Sequence, residues 1–209
     1  PDPAPGEKDQ VNFTDSESRI MKTKDGFQQC YNAQAGVETD SRLIVGARLA
    51  QAPNDKEQLV PTLAAVREHV APGHVLIDSG FVSEAAIRSV ERPDPKREGE
   101  SPRVLAGVIR ERHGRTIEQL EKREDPPAPP PEAPFTEHLA HRTATAAGRA
   151  LYRLRQQTVE PVFGIIKSVL GFRRFMLRGL AKVSLEWDLV CLAYNLKRLH
   201  RLDARLRPA

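Results

Sequence analysis

Apolar spacing changes period once along this chain, and that change limits the folds open to it. Up to residue 91 the apolar residues form short runs bounded by turn formers: CYNAQAGVE, RLIVGARLA and HVLID. From residue 136 they recur at helical spacing: Leu151, Leu154, Val159, Val162, Phe163 and Ile166, then Val183, Leu185, Leu189, Leu192, Leu196 and Leu199. Strand-type runs alternating with helices, followed by a helical third, point to an α/β fold.

Four parts follow. Residues 1–19 are polar, open on Pro, Asp and Gly, and read as loop. Residues 20–91 read as α/β. CYNAQAGVE and RLIVGARLA are two strands, with Gly36 and Asp40-Ser41 marking the turn. Asn54 is expected to cap a helix with Glu57 three residues on, and Leu59, Leu63, Val66 and Val70 along one face. Pro72-Gly73 ends it, HVLID is a short buried-type strand, and Ser83 caps the helix SEAAIRSVE. Residues 92–135 contain RPDPKREGESPR and EDPPAPPPEAP, charged proline-rich runs that are not expected to pack. Between them lie a short strand and a charged helix, so the stretch reads as an insertion or linker. Residues 136–209 are helical. Pro161 lacks an amide hydrogen and is expected to kink or restart the helix just past Glu160. GFRRFMLRGL, bounded by Gly171 and Gly179, leads to the last helix, on which Trp187 and Tyr194 share a core face.

The net charge of +4 hides an asymmetry. From Thr136 to the end there are 14 Lys+Arg against 5 Asp+Glu, whereas the rest holds 18 against 23. A basic C-terminal third suits a polyanionic partner, since neutralising phosphates releases counter-ions; a solvated helical surface is the plainer alternative. Cys30 and Cys191 have no CxxC spacing and suggest neither zinc nor a disulfide framework, which fits a reducing cytoplasm. No apolar run approaches the roughly 20 residues that span a bilayer. The chain does not begin with Met, and Pro1 reads as the start of a fragment.

Two acids stand out. Asp78 closes the run HVLID, where a strand end would hold it rigidly. Glu160 sits among Arg153, Arg155 and Lys167 beside an apolar run, as if buried. Two isolated carboxylates, one closing a strand and one on a late helix, suit a two-metal phosphoryl-transfer site for Mg²⁺ or Mn²⁺. Each also has a plainer reading: Asp78 as a turn former, Glu160 as a helix acid paired with an arginine. Asn32 and Gln34 are read as facing a loop, and Asp55 as a first-turn helix acid.

The segments TDSESRIMKTKDGFQQCYNAQAGVE, LIVGARLAQAPNDKEQL, VLIDSGFVSE and YRLRQQTVEPVFGIIKSVLGFRRFMLRGLAKVSLEWDLVCLAYNLKRL, in that order, resemble the later part of a DDE transposase of a bacterial insertion sequence. The resemblance implies a partial RNase H-like sheet with flanking helices. It implies that IDSGF supplies the second catalytic acid, Asp78, and that the helix of VEPVFGIIK supplies the last, Glu160. Both would be metal ligands. Tyr152, Arg155, Glu160 and Lys167 fill a Tyr-Arg-Glu-Lys signature. The step from Arg155 to Glu160 is one residue longer than in some relatives, which leaves Arg153 open for the arginine's part. Tyr152, Arg153, Arg155, Lys167, Arg173, Arg174 and Arg178 would contact DNA phosphates. The family's first Asp lies on a strand upstream of YNAQ. Asp15 sits in a polar loop with no apolar run before it, and family order argues against Glu38 and Asp40, so the two-metal site is expected to be incomplete in this chain. The implied function is metal-dependent DNA cleavage and strand transfer when complete. The alternative is an inactive fragment that only binds DNA. The implied partners are transposon ends and target DNA, with a possible homodimer on the DNA and no membrane, in a bacterial cytoplasm at the nucleoid.

Overall fold

The computed structural model describes residues 12–23, 26–93, 101–108 and 124–206, with 204–206 as backbone only. Among these residues it is a mixed α/β structure of small sheets and five α-helices. Strands β1 (Arg19–Thr23) and β2 (Gly26–Cys30) pair as a hairpin. No element is expected there from apolar period, although Asp25-Gly26 between two apolar-containing runs is a hairpin signal. Strands β3 (Asn32–Val37) and β4 (Ile44–Ala50) pair antiparallel, Gly36 opposite Gly46. Strands β5 (His74–Ile77) and β6 (Arg103–Ala106) pair parallel. β6 is the strand expected inside the 92–135 stretch. Its Val104, Leu105 and Ala106 are buried, because a parallel strand is covered on both faces. The charged helix expected after it falls at 109–123, outside the described residues.

Helix α1 (Leu59–Arg67) starts later than the cap at Asn54 predicts. Pro61 is the reason. Begun at Asp55, the helix would hold Pro61 in its interior, whereas begun at Leu59 the missing amide falls in the first turn, where no intrahelical partner exists. Asn54 closes a local turn instead, accepting from the Lys56 amide. Helix α2 (Glu84–Val90) does start after Ser83, but the Ser83 side chain makes no capping bond. α1 and α2 pack on β5–β6 around Leu63, Ile77, Ile87 and Val104.

Helix α3 (Phe135–Ala144) is joined to that core by Leu139 and by Arg142, whose guanidinium meets Glu91 at 2.5 Å and donates to the Val104 carbonyl. Helix α4 (Ala146–Ser168) opens on Thr145, whose hydroxyl accepts from the Gly148 amide. Part of the proline-rich run also binds here: Asp125 accepts from the Ala146 amide and Pro126 lies against His141. A carboxylate at exposed helix amides is favourable whatever surrounds it, which is why this segment docks despite its composition. α4 continues through Pro161 without the expected restart. The carbonyl that loses its amide partner belongs to the exposed Gln157, where water can replace it, and buried Thr158, Val162 and Ile166 hold both sides of the proline to the core.

Helix α5 (Leu180–Leu206) covers β4 through Val183, Trp187, Cys191 and Tyr194. Trp187 and Tyr194 are core residues, as their spacing predicts. Burial pushes the Cys191 thiol up to about 12, which makes it a packing group rather than a nucleophile. Asn195 accepts from the Ile44 amide and donates to its carbonyl, taking the place of a neighbouring strand at the edge of β4. The link from α4 to α5 turns on positive-φ glycines at Gly171 and Gly179. Residues 12–18 tie down the start of α5. Asp15 accepts from the Tyr31 hydroxyl and the Gly179 amide, and Glu17 from the Leu180 amide.

Candidate active site

β5 delivers Asp78 to the C-terminal end of the β5–β6 pair. Its carboxylate Oδ1 accepts from the Ser79 amide at 2.8 Å and starts the 3-10 turn Ser79–Phe81. The plainer reading of Asp78 as a turn former is therefore met, and its side chain is 60% exposed. Tyr152 on α4 donates its hydroxyl to the Ile77 carbonyl at 3.1 Å, one residue before Asp78, and so fixes the strand end.

α4 brings Glu160 to the same place. Arg155 lies between the two acids, its Nη2 at 4.0 Å from Asp78 and 3.8 Å from Glu160. The guanidinium is only 17% exposed, while the carboxylates are 60% and 62% exposed. Glu160 is thus neither buried nor at a helix N-terminus, contrary to what the sequence suggests. It projects to solvent from the middle of a continuous helix, where a substrate can reach it. At about 4 Å an ion pair is worth roughly 4 kcal/mol in a protein-like medium but about 1 or less when exposed. Both pairs are therefore weak enough for a ligand to displace.

Arg155 Nε is buried without a partner among the described residues, and the ring of Tyr152 lies 5.7 Å from the guanidinium. Arg153, two positions away, points elsewhere and is exposed. Of the two arginines, Arg155 is the one at the acids. Lys167 is exposed two turns beyond Glu160, over the Phe163 ring. Arg173, Arg174 and Arg178 are exposed in the link to α5 and form no ion pair among the described residues. Glu186, a plausible partner for them, instead accepts from the Met176 and Leu177 amides.

A third acid, Asp55, expected as a first-turn helix acid, lies near Asp78. Asp55 is not helical. Its Oδ1 accepts from Asn32 at 2.8 Å and from Gln34 at 2.7 Å, and its Oδ2 faces Gly80 in the turn after Asp78. Gln34 is 6% exposed, and its carbonyl accepts from the Trp187 indole. Asn32 and Gln34 therefore do face a loop, the 51–58 segment between β4 and α1, in which they hold Asp55 while Asn32 also donates to the Ala52 carbonyl. Two amides two residues apart on a strand share a face, a signal the sequence does contain.

Asp78 and Glu160 are hard oxygen donors of the kind Mg²⁺ takes, around a position now held by a cationic group. Their number is short: no three metal-ligating side chains come together among the described residues. Two of the acids set aside for the missing position are engaged elsewhere. Glu38 closes the β3–β4 turn, and bonding to Ser41 holds its carboxyl below the usual range. Asp15 is occupied at the start of α5.

Two adjoining cavities of about 430 and 280 Å³ separate β3 from β5, with α1 and α4 as walls. One touches Val37 and His74, the other Asn32 and Asp78, so the two strands run in opposite directions across the gap. Each strand pairs on one side only among the described residues. Thr62 Oγ1, buried without a partner, and Arg155 border the second cavity. No helix among the described residues is long and apolar enough to cross a membrane.

The family model described as the transposase DDE domain matches residues 2–196. No curated protein and no solved structure matches the chain.

Proposed function

The chain belongs to the transposase DDE domain family, and on that premise we propose that Asp78 and Glu160 are two of the acids of a transposase active site that cleaves and joins DNA. The observation that carries this reading is the meeting of the two acids, from distant parts of the chain, at one guanidinium. Asp78 and Glu160 would hold the divalent metal, which when bound supplies an activated attacking oxygen and stabilises the leaving one. The chain's own residues do the rest. Tyr152 holds the strand end that carries Asp78. Arg155 bridges the two acids in the absence of a ligand, then turns to a substrate phosphate. Lys167 and Arg153 flank the path of the backbone, and Arg173, Arg174 and Arg178 extend it. The partner is duplex DNA, in the bacterial cytoplasm.

The remaining acid arrives on a strand from outside the described residues, in the gap between β3 and β5. What supports this is the pair of one-sided strands running in opposite directions, the apolar walls, and the two buried polar atoms without partners. A strand laid there is parallel to one neighbour and antiparallel to the other, and unites β4–β3 and β5–β6 into the RNase H-like sheet that the family implies. Without such a strand the two acids are a ligand short, and DNA would be bound without being cut.

The test is made in a polypeptide extended upstream to include that strand. Asp78→Asn and Glu160→Gln should each lower Mg²⁺-dependent cleavage of transposon ends at least about a hundredfold, because charge stabilisation is lost in the transition state. Duplex affinity should stay within about twofold, since neither acid attracts phosphate. Cleavage within about tenfold of the parent would remove that acid from the site. Robust cutting by the 209-residue chain alone, abolished by Asp78→Ala, would show that the third acid is already present.

A further inference from the structure

Strands β1 and β2 form a two-stranded ribbon that stands apart from both hydrophobic clusters; none of its residues belongs to either. A lone hairpin is marginal in water, and this one is held at its base. Ser18 donates to the Gln29 side chain at 3.1 Å, and Arg19 donates to the Ser16 and Ser18 carbonyls. Tyr31 donates to Asp15 and packs edge-on against Phe175. Beyond that base the ribbon is open. Lys22 and Phe27 lie opposite each other and so share a face. Phe27 is 76% exposed, and Lys22 is exposed with no ion pair among the described residues.

The ribbon stands beside the proposed site. β2 runs through Tyr31 into β3, and Asn32, the first residue of β3, lines the same cavity as Asp78. The ribbon therefore leaves the sheet at the end that carries the acids. Through Phe175 its base also touches the link that holds Arg173, Arg174 and Arg178.

We infer that this ribbon lies in the major groove of a DNA duplex, with Lys22 and Phe27 on base edges. The partner is that of the proposed function, on which this inference rests. Charge favours it: from Arg19 to Cys30 there are three cations, Arg19, Lys22 and Lys24, and one acid, Asp25. The acids at the base, Asp15 and Glu17, are taken up by Tyr31 and by the Gly179 and Leu180 amides. The major groove, about 12 Å wide, admits a two-stranded ribbon, whereas the minor groove, about 6 Å wide, does not. A lysine ammonium donates to guanine O6 and N7, and a phenylalanine ring packs on the thymine methyl. Phe27 is about 14 Å from Tyr31 along an extended strand. At roughly 3.4 Å per base step, its bases lie on the order of four base pairs from the end of the sheet.

The full chain is tested without divalent metal, so that nothing is cut. Selection from duplexes with a randomised core should yield a preferred sequence. Duplexes with 5-iodouracil for thymine, which puts a photoreactive iodine where the methyl stands, should cross-link to Phe27, as read by mass spectrometry. Phe27→Ala should lower the preference for the selected duplex over an unrelated one at least about tenfold. Affinity for the unrelated duplex should stay within about twofold, since no charge is lost. Replacing Arg173, Arg174 and Arg178 should weaken both duplexes alike. If Phe27→Ala alters the circular dichroism spectrum, Lys22→Gln makes the same test from the opposite strand. A selection without a preferred sequence overturns the inference, as does a preference that both variants leave unchanged. Sedimentation without DNA that shifts with Phe27→Ala gives the ribbon to a second copy of the chain and also overturns it. The part of Asp78 and Glu160 is decided separately, by cleavage in the extended polypeptide.

Discussion

Helix α1 forms one wall of the gap between β3 and β5, and its distance from β3–β4 rests on two glycines. A Cβ at Gly36 would overlap Val66 Cγ2, with Val66 Cβ next at 3.7 Å. A Cβ at Gly46 would lie 2.7 Å from the Val66 amide nitrogen and 2.9 Å from its Cα. The first clash is with a side chain; the second is with the helix backbone as well. Gly36→Ala should therefore cost about 2 kcal/mol by overpacking, and Val66→Ala a similar amount through loss of two buried methyl groups. Independent effects would bring the pair near 4 kcal/mol. With Val66 cut back to Ala, the nearest remaining atom to the new methyl is at ordinary van der Waals distance, and the methyl refills part of the space. The double variant should then lose only about 2 kcal/mol, a coupling of about −2 kcal/mol. Gly46→Ala should show no such rescue by Val66→Ala, because the backbone atoms remain. Urea unfolding followed by helical circular dichroism supplies the free energies. Additivity within about 0.5 kcal/mol for the Gly36–Val66 pair would refute this account of how α1 is seated.

Two further outcomes follow from single sites. Glu38 is held below its ordinary value of 4.5 by its bonds to Ser41 and Asp40, so its contribution is complete above that value and disappears as pH falls through the lowered one. Glu38→Gln should cost up to about 1 kcal/mol at neutral pH, with parent and variant converging below pH 4.5; a gap that widens in acid would contradict it. Replacing Arg173, Arg174 and Arg178 together by Ala should weaken duplex binding equally for all sequences. The salt slope should fall by about 1 for each phosphate that is no longer neutralised. An unchanged slope with intact helicity would make these arginines structural.

Local chemistry makes much of this protein readable in one dimension. β3, β4, β5 and the buried face of α5 follow from apolar period, because period decides which side chains can share a face. Asp78 and Glu160 are legible as a pair through the family segments around them. Other features depend on which carbonyl a side chain finally meets. Pro161 does not break α4, because the carbonyl it leaves unpaired faces water while its neighbours are anchored in the core. Pro61, conversely, moves the start of α1, a local effect that the capping pattern at Asn54 obscures. Asp55 passes for a helix acid because Asn32 and Gln34, the donors that hold it, come from a strand more than twenty residues earlier. The choice of Arg155 over Arg153 is likewise undecided by spacing. Only the packing of α4 against β5 puts one guanidinium between two carboxylates. A side chain's type is set by the sequence, but its partner is set by the elements that tertiary packing brings within hydrogen-bond reach.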